Sequence, residues 1–401
     1  MRWYDFLWLI REIYTKQKPD LAKIERLGLL AIKIGQVHAL RVDFLSPETC
    51  RHLAKLYRRV SSLPPEGVEP LLVEAYGPNW ESKFGSFERT PFASASIGQV
   101  HRATLPDGTP VAVKLVKRQF TEQFRRDVQS AIRVFRFAIA FYPKLRGVAN
   151  PISLLQGIEK TTLAELDLRN EIAGHERLAQ LTDTFRQQFD LRDLQFFRVY
   201  PEVSNERVMV SEFLAGPTLD ELMDRGELTY DNLLEFFRLQ GFFLFTVGTF
   251  HGDIHPGNIF LRDGVFTFVD TGYIGGVTDR IRLNLFKFFD ALSQDDFATS
   301  AEYLNAMADT PIDGQRFESF KKKFITLYDG FAGKSVGEES LTKKMMQTIR
   351  LGVLSGMNFE PGIFDIIKAL MYMDGMVLRV NPKAILLRDM RRYIDMFRPF
   401  V

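Results

Sequence analysis

Apolar residues at three- and four-residue spacing dominate the first 60 positions of the chain. This apolar face runs through Leu21, Ile24, Leu27, Leu30, Ile34 and Val37. Such spacing places side chains on one side of an α-helix, and Lys33 and Gln36, three positions apart, share a face of it. Pro64 and Pro65 cannot continue a helix. The pattern predicts a helical N-terminal segment of residues 1–65.

A two-residue period replaces the helical pattern between positions 97 and 116. Ile97–Thr104 and Val111–Val116 are strand-like, and Pro106-Asp107-Gly108 is a turn between them, so the segment predicts a β-hairpin. Lys114 shares a strand face with small apolar residues, where a lysine needs a partner. A strand-edge lysine in solvent is the alternative interpretation.

Helical periodicity returns over residues 119–180. The segment TTLAELDLRNEIAGHERLAQL is predicted to be one helix that carries Glu165, Asp167 and Glu171. A glutamate on a helix that follows a lysine-bearing strand is typical of protein kinases, and the sequence leaves both Glu165 and Glu171 open as the partner of Lys114. The alternative is that these acids form the solvated face of an amphipathic helix.

The chain after residue 195 combines strands with long helical segments. FFRVYPEVSNERVMVSEFLAG contains two strand-like runs, and Ser211–Gly216 is predicted to be a hinge between two lobes, where protein kinases bind adenine. Residues 231–250 are rich in Phe and Leu and predict a buried helix. Beyond Gly276 the pattern is helical to the end of the chain.

The stretch His251–Asp270 combines a polar loop, a turn and a buried strand. Asn258 lies five positions after Asp253, and Asp270 lies twelve after Asn258. The run VFTFV predicts a strand that ends on a carboxylate. Phosphoryl transfer needs one carboxylate to orient the nucleophile, and an amide oxygen with a second carboxylate to hold magnesium. The protein-kinase catalytic loop has this order and spacing, which makes Asp253 the candidate catalytic residue and Asn258 and Asp270 the candidate metal ligands.

Two other interpretations of this stretch compete with the kinase one. His251 and His255 have the spacing of a helical zinc site, although Gly252 inside the span and Pro256-Gly257 after it disfavour a helix. The Asp-Gly and Pro-Gly pairs are also common in plain turns with solvated acids. The presence of an upstream lysine and glutamate decides between them.

Composition narrows the class of protein. The chain has 401 residues, of which 46% are hydrophobic. Its net charge of +2 indicates no nucleic-acid partner. Cys50 is its only cysteine, which excludes a disulfide scaffold. No apolar window is long enough for a transmembrane helix. The start WYDFLWLI predicts an amphipathic helix that docks on this protein, with docking on a membrane surface as the alternative. We expect a cytoplasmic protein, with peripheral membrane contact as the alternative.

Four sequence motifs together resemble the UbiB family of atypical protein-kinase-like proteins, also called AarF/ADCK proteins. Lys33-Ile34-Gly35-Gln36 matches the KxGQ signature of that family. The segment FASASIGQVH, residues 92–101, matches its Ala-rich loop, and Glu165-Leu166-Asp167 matches its ExD signature. The catalytic loop matches HxDxHxGN. The resemblance covers about residues 20–280, and Gly252 and Ile254 stand where Ala and Pro are usual.

The resemblance implies an α+β, bilobal protein-kinase-like fold. Residues 1–65 would be a helical extension carrying KxGQ, residues 66–215 the kinase-like N-lobe, and residues 216–401 a mostly helical C-lobe. It implies ATP or ADP with Mg²⁺ as cofactors, and isoprenoid or quinone-precursor lipids as further partners.

The resemblance also assigns residues by role. Lys114 and Glu171 would act with Asp253 in catalysis. The nucleotide would be bound by Ala93, Ser94, Ala95, Ser96, Ile97, Lys114 and Glu212. Lys33 and Gln36 would be regulatory, with Glu165 and Asp167 as their partners, and the extension would lie over the cleft between the lobes and exclude protein substrates.

Two functions from different classes follow from these motifs. The first is an ATP-dependent ATPase or small-molecule phosphotransferase in isoprenoid lipid or ubiquinone biosynthesis. The second is a nucleotide-gated lipid-binding or assembly factor that transfers no phosphate. The sequence favours the enzyme, because Lys114, Asp253 and Asp270 are all present.

Overall fold

The computed structural model describes residues 2–39, 45–57, 63–94, 98–116, 121–141, 151–360 and 362–401. The chain divides into two compact units. Unit 1 comprises residues 1–173 and 197–214, and unit 2 comprises residues 174–196 and 215–401. The three-part division at residues 65 and 215 stays a prediction.

The described part of the chain is mainly helical. Its α-helices are α1 Trp3–Thr15, α2 Leu21–Arg26, α3 Leu29–Ala39, α4 Pro47–Leu53, α5 Val68–Tyr76, α6 Thr121–Phe141, α7 Pro151–Glu165, α8 Leu168–Phe185, α9 Leu219–Arg225, α10 Tyr230–Gly241, α11 Asp279–Ser293, α12 Phe297–Met307, α13 Gly314–Tyr328, α14 Leu341–Leu354, α15 Gly362–Val380 and α16 Leu386–Phe397. No described helix is both long enough and apolar enough to cross a membrane.

The strands are short, and they form three sheets. They are β1 Ser86–Phe87, β2 Ala93–Ser94, β3 Gly98–Thr104, β4 Pro110–Val116, β5 Leu194–Gln195, β6 Val208–Glu212, β7 Thr249–His251, β8 Ile259–Arg262, β9 Val265–Phe268 and β10 Ile274–Gly276. The mixture of helices and sheets agrees with the predicted α+β class.

Unit 1 contains an antiparallel sheet in the order β1-β3-β4-β6, with β2 also paired to β3. The predicted hairpin is therefore present as β3 and β4. Alternate residues Val111, Val113 and Leu115 are buried in the core beneath the sheet, because successive side chains of a strand point to opposite faces. Lys114 consequently lies on the other face of β4.

The N-terminal helices pack within unit 1. Helix α1 buries Phe6, Leu9 and Ile13, and the ring of Phe6 meets that of Phe135 edge-on at 5.2 Å. The prediction that this helix docks on the protein is confirmed. The apolar face predicted from Leu21 onward is split into two helices, because Gly28 adopts a left-handed φ of 98° between α2 and α3.

Two predictions about the middle of unit 1 were wrong. The segment with Glu165, Asp167 and Glu171 forms two helices, since Asp167 accepts a hydrogen bond from the backbone amide of Arg169 (3.1 Å) and caps the start of α8. The first strand-like run after residue 195 forms only an isolated bridge at Val199. A 3₁₀ turn that begins at Pro201 ends the extended segment there.

Unit 2 combines a small sheet with most of the predicted helices. Strands β8 and β9 form a hairpin, and β5 pairs with β9 in parallel. Asp263 and Gly264 both have positive φ at the hairpin turn, as a tight turn with Asp-Gly requires. The Phe-rich segment forms α10 and a π-helical turn, Phe242–Val247. The core of unit 2 includes the fully buried rings of Phe236, Phe237, Phe242, Phe243, Phe266, Phe268 and Phe288.

Candidate active site

Lys114 and Glu171 form a buried ion pair in unit 1. Lys114 Nζ lies 2.9 Å from Oε1 and 2.7 Å from Oε2 of Glu171, and the side chains are only 11% and 6% exposed. Strand β4 supplies the lysine and the first turn of α8 supplies the glutamate. The pair identifies Glu171 rather than Glu165 as the carboxylate beside Lys114, a choice that the sequence left open. A lysine held in this way is the cation that protein kinases use to bind nucleotide phosphates.

Lys33 and Glu165 form a second ion pair in unit 1. It joins helix α3 to the last residue of α7, and the lysine side chain is 12% exposed. The predicted pairing of Lys33 with Glu165 is therefore confirmed.

The other predicted partners in this motif pair differently. Gln36 Nε2 donates to the carbonyl of Leu56 (3.1 Å). Asp167 instead binds the guanidinium of Arg169, two residues along (2.7 Å and 2.9 Å), and this lowers the pKa of Asp167 despite partial burial. The prediction that Asp167 pairs with the KxGQ motif was wrong, because its carboxylate binds Arg169 and caps the start of α8.

The Ala-rich loop is described only in part. Ala93 and Ser94 are exposed in β2, paired with β3, whereas the predicted nucleotide-binding residues Ala95, Ser96 and Ile97 lie outside the described residues. Glu212, at the end of β6, is exposed, and its carboxylate accepts from the backbone amide of Arg198 (3.2 Å).

Gln99 and His101, which follow in the segment that matches the Ala-rich loop, are hydrogen-bonded to other parts of unit 1. Gln99 and His101 are fully buried. His101 Nδ1 donates to the carbonyl of Glu88 (2.8 Å), and Gln99 Nε2 donates to His101 Nε2 (2.9 Å). Gln99 Oε1 accepts from the backbone amide of Leu63 (2.9 Å). This chain of hydrogen bonds fixes β3 to the segment that follows the N-terminal helices.

His251 organises the catalytic loop in unit 2. The ring is completely buried, and this burial lowers its pKa. In the neutral form Nε2 donates to the carbonyl of Val269 (2.9 Å), while Nδ1 accepts from the backbone amide of Asp253 (3.0 Å). Because the two bonds require one donor and one acceptor, they fix a single neutral tautomer. Asp253 is thereby held at a set distance from the strand that precedes Asp270.

Asp253 forms an ion pair that the sequence did not predict. Its Oδ1 lies 2.9 Å from Nζ of Lys368, whose side chain is 11% exposed. Lys368 comes from helix α15 near the end of the chain. Because both atoms lie in unit 2, this unit supplies its own counter-charge to the candidate catalytic carboxylate.

Asn258 and Asp270 are positioned by the backbone of the same loop. Asn258 Nδ2 donates to the carbonyl of Asp253 (3.1 Å), which leaves Oδ1 as the acceptor of that amide. The amide of Val269 donates to the carbonyl of Asn258 (2.9 Å), so the end of β9 lies beside Asn258. Asp270 has a left-handed φ of 57°, a strained conformation that is concentrated at functional sites.

The ligand set fits magnesium and not zinc. Carboxylate and amide oxygens suit Mg²⁺, which keeps several water or phosphate ligands and needs few from protein. Within the described ranges, no three His, Cys, Asp or Glu side chains are grouped to hold a metal ion. Both ring nitrogens of His251 bond to the backbone, and Nδ1 of His255 accepts from the amide of Gly257 (3.0 Å). These bonds count against the zinc interpretation of His251 and His255, which the sequence had already disfavoured.

Tyr273, three residues after Asp270, connects the catalytic loop to helix α15. The hydroxyl of Tyr273 donates to Oδ2 of Asp365 (2.6 Å), and burial raises the pKa of that carboxyl. The Tyr273 ring occupies the space beside Gly252, where a Cβ atom would lie 2.2 Å from the ring. Glycine at position 252, where the resembled family usually has alanine, is explained by this packing.

Sequence reasoning missed Lys368, Asp365 and Tyr273. Asp365 and Lys368 are three residues apart on one face of an apolar helix, FDIIKALMYMD. Two charges on such a helix need partners, which was the available signal. Their partners could not be named from sequence, because the helix and the loop are distant along the chain.

Comparison with known proteins shows which family the chain resembles. Residues 55–304 match the ABC1 atypical kinase-like domain. A probable protein kinase UbiB of Glaesserella parasuis is 27% identical over 387 residues, covering 93% of this chain and 69% of that protein. A probable protein kinase UbiB of Vibrio cholerae is 27% identical over 399 residues, covering 97% and 72%.

A solved structure is similar as well. It is described as the complex structure of Rv3197 and erythromycin from Mycobacterium tuberculosis, and it is 20% identical, covers 90% of each chain and has a TM-score of 0.51. At this identity the likeness concerns the fold, and it agrees with the predicted kinase-like architecture. Since the matched domain includes Lys114, Glu171 and the whole catalytic loop and covers more than half of the sequence, the chain belongs to the family of ABC1 atypical kinase-like proteins.

Proposed function

We propose that this protein is a magnesium-dependent, ATP-binding atypical kinase that acts as an ATPase or small-molecule phosphotransferase in isoprenoid lipid or ubiquinone biosynthesis. The observation that carries the proposal is the pairing of Lys114 with Glu171, together with a catalytic loop that holds Asp253, Asn258 and Asp270. An ion pair with a purely structural role would not require the loop of Asp253, Asn258 and Asp270. Phosphoryl transfer requires both the paired lysine and that loop.

Each side chain has a proposed task. Glu171 holds the Lys114 ammonium so that it can bind nucleotide phosphates. Asp253 orients the attacking hydroxyl or water and accepts its proton. Asn258 Oδ1 and the carboxylate of Asp270 would hold Mg²⁺, which when bound neutralises charge on the transferred phosphoryl group.

Lys368 is proposed to position Asp253. A carboxylate within 2.9 Å of an ammonium is stabilised in its charged form, which can accept a proton. The helix that carries Lys368 lies after residue 304, where the matched family domain ends. This contact is thus a contribution of the C-terminal helices to the proposed chemistry.

The remaining nucleotide-binding residues are proposed from the family resemblance. Ala93, Ser94, Ala95, Ser96 and Ile97 would cover the phosphates. Ala and Ser in place of glycines make that loop stiffer than the glycine-rich loop of protein kinases. Glu212 would lie at the adenine.

The N-terminal extension is proposed to be regulatory. Its ion pair from Lys33 to Glu165 and the buried side chain of Gln36 make helix α3 a packed part of unit 1 rather than a detachable arm. A fixed extension supports a small substrate over a protein substrate. Its placement over the cleft stays a prediction.

The nucleotide-gated lipid-binding or assembly factor is the second candidate function. An apolar cavity inside unit 2, lined by rings such as those of Phe237, Phe245 and Phe250, favours it. Such a cavity can hold a lipid without any phosphate transfer.

Turnover of ATP separates the two functions. We expect purified protein with Mg²⁺ to release phosphate from ATP or to transfer it to a phenolic quinone precursor. The Asp253→Asn variant should lose this turnover while still binding nucleotide, because the amide cannot accept the proton. Nucleotide binding with no turnover under any of these conditions would reject the enzyme and favour the binding factor. Accumulation of quinone precursors in a deletion strain would test the pathway.

A further inference from the structure

One face of helix α15 lies against the catalytic loop. The side chains of Asp365, Lys368 and Tyr372 are three and four positions apart, so they share this face. Tyr273 donates a hydrogen bond to Asp365 (2.6 Å), and the ring of His255 meets that of Tyr372 edge-on, with 5.4 Å between the ring centroids. Lys368 therefore reaches the loop between two contacts that fix the helix on either side of it.

The two carboxylate oxygens of Asp253 have different surroundings. Oδ1 is buried and lies 2.9 Å from Nζ of Lys368, but within the described part of the chain it makes no hydrogen bond of normal geometry. The ion pair is thus an electrostatic contact rather than an aligned hydrogen bond. The side chain as a whole is 27% exposed, so its accessible surface excludes Oδ1. This leaves Oδ2 as the oxygen that can accept a proton from a substrate.

A substrate in reacting position brings the terminal phosphate close to Lys368. The attacking oxygen would lie about 2.6–3.2 Å from Oδ2 of Asp253, as a general base requires. The phosphorus would lie about 3–3.5 Å from that oxygen. Because the lysine touches the other oxygen of the same carboxylate, its ammonium borders the space that the phosphoryl group fills. An ammonium has three N–H donors, so it can bind a phosphoryl oxygen and Asp253 together.

Charge gives a reason for a cation at this point. The carboxylates of Asp253 and Asp270 would both face the terminal phosphate, and like charges repel. During transfer, negative charge is spread over the equatorial oxygens of the phosphoryl group. A fixed cation in a mostly buried position counters this charge more strongly than one in water, and the side chain of Lys368 is 11% exposed. Lys114 belongs to unit 1, whereas Lys368 comes from the same unit as Asp253.

We propose that Lys368 binds the terminal phosphoryl group of ATP and stabilises it during transfer, which makes it a catalytic residue and not only a support for Asp253. This inference rests on the proposed function. The proton of the attacking hydroxyl or water passes to Oδ2 of Asp253 while the new oxygen–phosphorus bond forms. The bond between phosphorus and the β–γ bridging oxygen breaks, and its electron pair leaves with ADP. Throughout these changes Lys368 holds a phosphoryl oxygen that belongs to neither bond.

Nucleotides with and without the terminal phosphate test the inference in the full chain. Titration calorimetry with Mg²⁺ compares ADP with AMP-PNP, an ATP analogue that resists hydrolysis. Lys368→Met should weaken binding of AMP-PNP about ten-fold, because a charge-assisted hydrogen bond is lost, and binding of ADP less than about two-fold. Arg379→Met, at an exposed position of the same helix, is the matched control and should change neither affinity. A lysine that acts only through Asp253 would lower turnover and leave the ratio of the two affinities unchanged.

A second comparison removes the Asp253 carboxylate. Asp253→Asn is compared with the double variant that combines Asp253→Asn and Lys368→Met, and the ratio of AMP-PNP affinity to ADP affinity should again fall about ten-fold. Since no carboxylate remains at position 253 to be positioned, only direct contact with the phosphate predicts this fall. The double variant also removes the buried charge that Lys368→Met would leave, which keeps the inference testable if the single variant does not fold.

The possible results separate this inference from the proposed function. A selective loss of AMP-PNP affinity in both comparisons is the expected result. Wild-type protein that binds neither nucleotide would reject the inference and the proposed function together. Wild-type protein that binds both, with an unchanged affinity ratio in the Lys368 variants, would overturn the inference alone. Faster ATP turnover in Lys368→Met would also overturn it and identify the ion pair as an inhibitory contact.

Discussion

Removal of the Lys114 ammonium tests the buried ion pair of unit 1. In Lys114→Met the methylene stem is roughly conserved, and the carboxylate of Glu171, whose side chain is 6% exposed, loses its closest cation. Breaking a buried pair on one side typically costs about 3–5 kcal/mol, since the remaining charge stays buried. We expect a loss near the lower end, about 3 kcal/mol, because Lys114 itself is 11% exposed.

The double variant separates lost attraction from buried charge. Adding Glu171→Leu to Lys114→Met removes the buried carboxylate as well, so the double variant should be more stable than the Lys114→Met single variant by at least about 1 kcal/mol. The matched control is Arg89→Met, which breaks the exposed pair of Arg89 with Glu69, 48% and 46% exposed. That change should cost no more than about 0.5 kcal/mol.

Tryptophan fluorescence during urea unfolding provides the assay. All three tryptophans, Trp3, Trp8 and Trp80, belong to unit 1, so the signal follows the unit that contains the pair. If Lys114→Met destabilises unit 1 no more than Arg89→Met does, or if the double variant is the least stable protein, the buried-pair reasoning is refuted.

Three further changes concern unit 2, and circular dichroism of thermal and urea unfolding measures their effects. Gly252→Ala should destabilise by about 2 kcal/mol, because the new Cβ would lie 2.2 Å from the ring of Tyr273. The double variant Gly252→Ala with Tyr273→Ala should lose less stability than the sum of the losses in the two single variants. Lys368→Met should lower the stability by about 2 kcal/mol and lower ATP turnover, because it breaks a mostly buried pair with Asp253, the proposed catalytic carboxylate. Arg379→Met on the same helix breaks exposed pairs and should cost under about 0.5 kcal/mol; equal losses would contradict the positioning role. Because burial lowers the folded-state pKa of His251, the unfolded chain takes up this proton first, so stability should fall as the pH drops below about 6.5, and His251→Asn should lose part of that dependence.

Local patterns were enough to predict many elements of the fold. The alternation around Lys114 is a property of one strand, and the Asp-Gly turn before β9 is set by two residues, so both could be read from adjacent positions. The order of Lys114, Asp253 and Asp270 then indicated a kinase-like family, which the match to the ABC1 atypical kinase-like domain shows, without any distance being known.

Tertiary contacts were the part that local patterns could not supply. Glu165 and Glu171 looked equivalent as partners of Lys114, and only the break at Asp167 separates their helices. That break had a local signal, because an aspartate directly before a helical run whose first turn carries an acidic residue, here Glu171, is typical of a helix start. The sequence showed that Lys368, on an apolar helix, needs a partner, but it had no signal that names Asp253, since a loop and a helix that far apart in sequence meet only on folding.

Nucleotide binding that depends on both magnesium and Asp270 tests the central claim most directly. ATP with Mg²⁺ should raise the melting temperature of the wild-type protein, with about 2.7 kcal/mol of stabilisation at a ligand concentration of 100 times Kd. ATP with a chelator should give much less.

The matched pair of variants is Asp270→Asn and Asp263→Asn. Both aspartates have left-handed φ, 57° and 52°, a conformation that asparagine tolerates, but Asp263 is an exposed turn residue. Asp263→Asn should keep the magnesium-dependent stabilisation by ATP, and Asp270→Asn should lose it. Equal stabilisation of the two variants, or none in the wild-type protein, would contradict the assignment of this chain as a magnesium-dependent ATP-binding protein.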